Sequence, residues 1–353
     1  MKIEGTVTKG GVAVQGAKVS LFRQGLRQTL VNGSITQLDT GVDTYIAPWH
    51  ARTLVTSLTG PNSRVIAISG VLTDLKITLD AQPGGGRSYT FVMYLNGNPT
   101  NMSVTISGTN TTGEDITHSI QVVTGDILYL KSTPSGTPAA ARIRNSLVFL
   151  STSNTDFIMG AGNTLSGTAT INIPIDGGGT SSGMGAMMIS AIAGTLQNFR
   201  VKLGTAPGTG LTRTITIYNQ SGASTIVVTI SGANTTGTDL VHTLAVAAGD
   251  QLYVKSEVSA SLAASEVYFT IEFVSSVASQ YTIGGSCSSN LSGTSTQYMY
   301  TDSTTTQSSD QHFFEQRYTK DLTIKKMYVG LSVAPGSGGS GKKRTFTLMK
   351  NGV

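Results

Sequence analysis

The chain repeats itself. Val104–Lys131 and Val228–Lys255 align without a gap at a shift of 124 residues, and 17 of the 28 positions are identical. Solenoid rungs recur about every 20–50 residues, so a period this long marks a whole domain. The match extends upstream at the same shift. Asp74–Ile77 aligns with Asn198–Val201, Pro83-Gly84 with Pro207-Gly208, and Thr90–Tyr94 with Thr214–Tyr218. A third copy begins later. Leu331–Gly336 matches Leu203–Gly208, and Arg344–Leu348 matches Arg213–Ile217 after a three-residue insertion. There Asn351-Gly352 takes the place of Asn96-Gly97, and nothing equivalent to Pro99–Leu150 follows. The expectation is a third module whose remaining strands come either from a longer natural polypeptide or from another chain.

Within a module, apolar residues alternate with polar ones, the period of a half-buried strand. Ile215 and Ile217 share a face, as do Phe91 with Met93 and Phe346 with Leu348. Val104 with Ile106, Ile120 with Val122, Leu128 with Leu130, and Leu147 with Phe149 extend the pattern. Val228 with Ile230, Leu244 with Val246, Leu252 with Val254, and Ile271 with Phe273 repeat it. Pro83-Gly84 and Pro207-Gly208 fit type II turns, and Asn96-Gly97 fits a two-residue hairpin. About eight short strands per module, with no helical period, predict an all-β chain of tandem jelly-roll-like β-sandwich modules of about 124 residues. The boundaries expected are an N-terminal anchoring or docking β segment at 1–38, modules at 39–153 and 154–278, and an incomplete module at 279–353. Residues 177–185 and 286–309 read as loops or weak edge strands.

Composition removes several function classes. Charged residues make up 12% of the chain and the net charge is +5, with lysine and arginine scattered. No basic run interleaves with aromatics, so nucleic-acid binding is not expected. Cys287 is the one cysteine, which excludes an internal disulfide and leaves no Cys/His zinc spacing. The opening MKIEGTVTKGG has no apolar signal-peptide core, and no stretch reaches the apolar length of a membrane helix. Cytoplasmic synthesis without membrane insertion is the expectation.

The chemistry-bearing residues assemble no catalytic pattern. His118 and His242 are repeat equivalents placed near a strand start, read as backbone-capped rather than as metal ligands. His50 and His312 have no counterpart. Gly336–Lys343 nearly writes a phosphate-binding loop but lacks the following Ser/Thr, and the repeat places it between two strands. Asp126 and Asp250, and Asp115 with Asp239, are single acids in turns, too few for calcium. Asn110 and Asn234 open Asn-Thr-Thr-Gly turns. Aromatics that could form a receptor platform concentrate at Tyr298, Tyr300, Phe313, Phe314 and Tyr318, with packing as the bland reading; Trp49 is the single tryptophan. No catalytic residue, metal or cofactor is expected.

Gly5–Leu21 resembles the opening of carboxypeptidase-regulatory-like and transthyretin-like sandwiches, an opening also met in phage virion proteins. The strand–Pro-Gly–strand start, the Val-Thr-Ile-Ser-Gly-x-Asn-Thr-Thr-Gly stretch and the Gly-Asp-x-Leu-Tyr strand resemble tandem β-sandwich repeats of tailed-phage virion proteins. C1q/TNF-like jelly rolls show a similar Gly-Asp step. The resemblance implies a non-enzymatic, oligomeric virion component, such as a tail or head fibre, capsid decoration or host-attachment protein. Its partners would be other virion proteins, further copies of itself and a host surface glycan. The competing expectation is a bacterial cell-surface adhesin or carbohydrate-binding array, which would require export.

Overall fold

A computed structural model describes residues 8–9, 12–13, 27–34, 36–49, 54–58, 62–153, 155–175, 187–284, 286–287, 290–299, 301, 304–305, 308–309, 321–331, 334–335 and 342–350. Every element among them is a strand, and all pairs but one are antiparallel. β1 (Thr8–Lys9) and β2 (Val12–Ala13) pair as a short hairpin.

The first sandwich comprises β3 (Arg27–Gly33), β4 (Thr44–Ile46), β5 (Arg64–Val65), β6 (Gly70–Leu79), β7 (Gly84–Leu95), β8 (Asn98–Gly108), β9 (Thr112–Asp115), β10 (Ile120–Val122), β11 (Ile127–Ser135) and β12 (Ile143–Ser151). One sheet runs β10-β6-β12-β3, with β9 also on β6. The facing sheet runs β4-β11-β7-β8, with β5 also on β11. The second sandwich repeats this with β13 (Asp156–Leu165), β14 (Ile171–Pro174), β15 (Met188–Ile189), β16 (Gly194–Leu203), β17 (Gly208–Asn219), β18 (Gly222–Gly232), β19 (Thr236–Asp239), β20 (Leu244–Val246), β21 (Gln251–Val258) and β22 (Ser265–Ser275). Its sheets run β13-β22-β16-β19, with β20 on β16, and β14-β21-β17-β18, with β15 on β21. From β5/β15 to β10/β20 the element bounds coincide at a shift of 124.

Two sheets face each other around one apolar core per sandwich, the arrangement that alternating strands require. Phe91, Met93, Val104, Ile106, Ile120, Val122, Leu128, Leu130, Leu147 and Phe149 line the first core. Ile215, Ile217, Val228, Ile230, Leu252 and Phe273 line the second, with Leu244 packed at its margin. The turns match their chemistry. Asn96 and Gly97 both take positive φ (51° and 85°), and Gly84 and Gly208 sit at 101° and 99°. Asp74 and Asn198 both adopt φ 55° where β6 and β16 slip register against β12 and β22. A bulge with a left-handed residue tolerates Asp or Asn.

Two features depart from the sequence reading. Among the described residues each sandwich has ten strands rather than about eight, because short edge strands flank the main ones. And the first sandwich starts upstream of residue 39, since β3 pairs with β12 along its whole length. Gly33 pairs with Arg144 and Gly162 with Tyr268, so the opening strands correspond at a shift of 129, not 124. The first copy carries a longer connection between its opening strand and β5 than the second carries before β15, and this hides the equivalence.

The sandwiches join head to tail. β5 packs on β13, β16 and β22 of the second sandwich. Ile158, which points away from its own core, is buried in the first core instead. Gln28 Nε2 donates to Ile158 O at 2.7 Å, and Ile158 N–H donates to Gln28 Oε1 at 2.9 Å. Arg64 is fully buried beside the joint, donating to Trp49 O and Ser63 O, with Trp49 beneath it at 6.0 Å. The sole tryptophan is thus core, not platform.

Among its described residues the third copy keeps local features but forms no sandwich. Ser292 Oγ accepts from the N–H groups of Thr294 and Ser295, as Ser166 Oγ does from Thr168 and Ala169. Arg344 donates to Ser292 O at 2.7 Å, as Arg213 does to Ser166 O at 3.0 Å. Lys326 takes φ 57° where Asn198 takes 55°. β23 (Ser286–Cys287) and β24 (Thr304–Thr305) form the one parallel pair among the described residues. Residues 321–331 and 342–349 join no sheet, and Ile324, Met327, Val329 and Leu348 are exposed. Their counterparts Leu196, Phe199, Val201 and Ile217 are core residues on strands that pair with β18 to β22.

Candidate functional site

The outer face of the β4-β11-β7-β8 sheet carries a compact constellation, and the equivalent sheet of the second sandwich carries it again. Tyr94 on β7 and Tyr129 on β11 are directly paired, with rings stacked at 4.9 Å and 16°. The pleat puts both opposite Met93, Leu128 and Leu130, whose side chains fill the core. Tyr45 on β4 tilts against Tyr129 at 5.7 Å. Lys131, two residues along β11, places Nζ 5.4 Å from the Tyr94 ring centre and 2.9 Å from Asp43 Oδ2. Thr133 Oγ1 donates to the other Asp43 oxygen at 2.8 Å. The Lys131 ammonium, then Thr133, hold the Asp43 carboxyl below its usual range, and Asp43 in turn raises Lys131.

In the second sandwich Tyr218 and Tyr253 stack at 5.1 Å and 27°. Lys255 Nζ lies 5.3 Å from the Tyr218 ring centre and 2.7 Å from Glu257 Oε1, and Glu257 raises the lysine. The two tyrosines and the lysine recur at the 124-residue shift, but the acid does not. Glu257 corresponds to Thr133. Asp43 corresponds to Thr170, since Ile46 pairs with Leu130 and Ile173 with Val254. The ion pair is kept while its acid arrives from a different strand. Beside each patch a threonine pair bridges β7–β8 or β17–β18: Thr90 to Thr105 at 3.1 Å, and Thr214 to Thr229 at 3.2 Å.

The histidines belong to a different feature. His118 and His242 lie in the connections after β9 and β19, exposed to solvent. Each Nδ1 meets a buried carboxylate, Asp115 at 2.9 Å and Asp239 at 3.0 Å. Burial by itself raises the Asp115 carboxyl. The N–H of Ser103, the His118 ring and the N–H groups of His118 and Thr117 outweigh it and hold the group at about 2. This is an Asx-type turn anchored by several donors, and the ring partner is a side chain rather than the backbone expected. Among the described residues no group of three or more His, Cys, Asp or Glu could hold a metal ion.

Of the aromatics expected to form a platform, Tyr298 is half-buried and bridges to Ser308. Tyr300, Phe313, Phe314 and Tyr318 lie outside the described residues, as do His50 and His312. Lys342 and Lys343 of the glycine-rich segment are exposed and lie in no strand. A polar cleft of about 280 Å³ opens between Leu38, Asp39, Thr44 and Val55. Asp39 Oδ1 there already accepts from the N–H groups of Gly41 and Val42. Among the described residues, no helix is long and apolar enough to cross a membrane.

No family model matches the chain, and no curated protein matches it. A solved structure of a Paenibacillus xanthan lyase aligns over 61% of this chain at 13% identity, with a TM-score of 0.20. The aligned part spans 22% of that protein's length. A likeness at that level carries no argument about function.

Proposed function

We propose that this chain is a non-enzymatic structural component of a bacteriophage virion, a tail or head fibre, a decoration or a host-attachment protein. The observation that supports this is the joint. Two sandwiches of one design stack head to tail through Ile158 buried in the neighbouring core and the Gln28 clasp. A stiff stack of like modules sets a fixed distance, which is what a spacer or display element requires and a single-pocket enzyme does not. In this reading the partners are other virion proteins and further copies of the chain, and the protein acts on the particle. Mass spectrometry and antibody labelling of purified particles test it. The protein is expected at constant copy number per particle, and its absence there overturns the proposal.

The tyrosine–lysine patch, built once in each sandwich, favours a second reading: a bacterial surface adhesin or carbohydrate-binding array. Recovery from washed bacterial cell surfaces, rather than from particles, would select it.

A further inference from the structure

We infer that the outer sheet face of each sandwich is a binding site for a neutral pyranose, formed by Tyr94, Lys131 and Asp43 in the first, where the buried Tyr129 backs the Tyr94 ring, and by Tyr218, Tyr253, Lys255 and Glu257 in the second. The inference deepens the attachment reading above by naming its ligand class.

The stacked tyrosines alone would not carry this. Cross-strand aromatic pairs stabilise sheets by roughly 0.2–1 kcal/mol, which is reason enough for them to recur. The ion pair is different. Lys255 and Glu257 are partly open to water, with 26% and 42% of their side chains exposed; Lys131 and Asp43 stand at 21% and 36%. Pairs of this kind contribute about 0–1 kcal/mol. Stability therefore gives little reason to retain one, and less reason to rebuild it from another position. Yet the copies hold the same lysine against a carboxylate by two routes, Asp43 from the β4 side and Glu257 from β21 itself. What the copies share is the group of functions, a stacked phenol pair with an ammonium and a carboxylate beside it, rather than any one acidic position.

The chemistry of that group selects the ligand. A carboxylate accepts hydrogen bonds from two adjacent hydroxyls, an ammonium donates to oxygen, and a tyrosine offers an apolar ring with a polar tip. Vicinal hydroxyls on a pyranose present those complements, with C–H groups to lie against the aromatic edge. The threonine pairs beside each patch add hydroxyls from β7 and β8, and from β17 and β18. The charges cancel locally, because each lysine is already paired. An anionic polymer would have to displace a carboxylate to gain the lysine, so a neutral sugar fits better.

The test uses the whole chain and four probes: glucose, galactose, mannose and N-acetylglucosamine as short oligosaccharides. Saturation-transfer NMR and calorimetric titration read binding, with heparin as the anionic comparison. At least one neutral probe should bind with a stoichiometry near two. Tyr94→Ala and Tyr218→Ala should each remove one site, and the double variant should lose at least tenfold in overall affinity. Circular dichroism and thermal unfolding check that the variants fold. Lys255→Met, which leaves the stack in place, should weaken the second site alone. Failure of all four probes, heparin binding in their place, or binding unchanged in a folded double variant overturns the inference. Because particle location is measured separately, its failure and the failure of sugar binding remain distinguishable.

Discussion

The side-chain amide of Gln28 bonds both backbone groups of Ile158, donating to its carbonyl and accepting from its N–H, 130 residues away in sequence. A glutamine here stands in for one residue of a neighbouring strand. The opening strand of the second sandwich thereby faces two ways: Phe157 and Met159 fill its own core while Ile158 fills its neighbour's.

Gln28→Leu keeps the volume but orphans a buried N–H and a buried carbonyl. Each costs about 1–3 kcal/mol, so the variant should lose roughly 2–6 kcal/mol. Ile158→Asp should lose more by burying a charge in the first core. Chemical denaturation followed by fluorescence of Trp49 in that core reads the effect. A Gln28→Leu midpoint equal to that of the parent would mean the clasp contributes nothing.

Ile217 is fully buried in the second core. Ile217→Asp places an unpaired carboxylate there and should cost several kcal/mol. Thr214, half-buried on the opposite face three positions earlier on the same strand, should tolerate Thr214→Ser within about 0.5 kcal/mol. A melting curve of the Ile217→Asp protein that overlays the parent would refute the facing.

Much of this fold could be read in advance because strand periodicity and internal repetition report on each other. A face assigned to Ile215 is checked by Phe91 at the same position of the first copy. The readable part ends where the copies differ in loop length. β3 and β13 correspond at a shift of 129, so the opening strand of the first sandwich looked like a separate N-terminal piece. The tyrosine patch leaves a signal, since Tyr94, Tyr129 and Lys131 all recur at 124 residues on the polar side of their strands, but the alternation that marks those strands points only to their core faces. The acid was not legible at all. Asp43 joins Lys131 from 88 residues away, and no alignment of the copies predicts that Glu257 takes over its place. Ile158 was illegible for a related reason: an apolar residue on the wrong parity signals an interface, but not which one.

Asp115 gives a pH dependence with a definite sign. Its carboxyl is held at about 2 against an ordinary value of 3.8. A carboxyl depressed on folding stabilises above its unfolded value, and that contribution is lost as pH falls from about 4 through about 2. Asp239, also depressed, adds in the same direction. With the turn open to solvent on one side, Asp115 is expected to contribute on the order of 1 kcal/mol. Asp115→Ala should therefore cost clearly more at pH 7 than at pH 2.5 in urea unfolding. An equal cost at both pH values would contradict the assignment.

Gly194 opens β16 beneath the ring of Phe273. A methyl added there would lie 2.5 Å from that ring and 2.6 Å from Val274 O. Gly70 stands in the same relation to Phe149 and Leu150 O in the first sandwich, 124 residues earlier. The requirement is close approach, not backbone conformation, because neither glycine has positive φ. Gly194→Ala should force the strand or the ring aside and cost about 1–3 kcal/mol, the usual range for overpacking. The ring is one of the two obstacles and the carbonyl is the other. Replacing the ring in the Gly194→Ala, Phe273→Leu double variant should therefore recover only part of the loss, with a coupling of at least about 0.5 kcal/mol between the two sites. Double-mutant-cycle denaturation measures that coupling. Strict additivity would show that Phe273 does not set the space above Gly194, and that the glycine is held by the backbone alone.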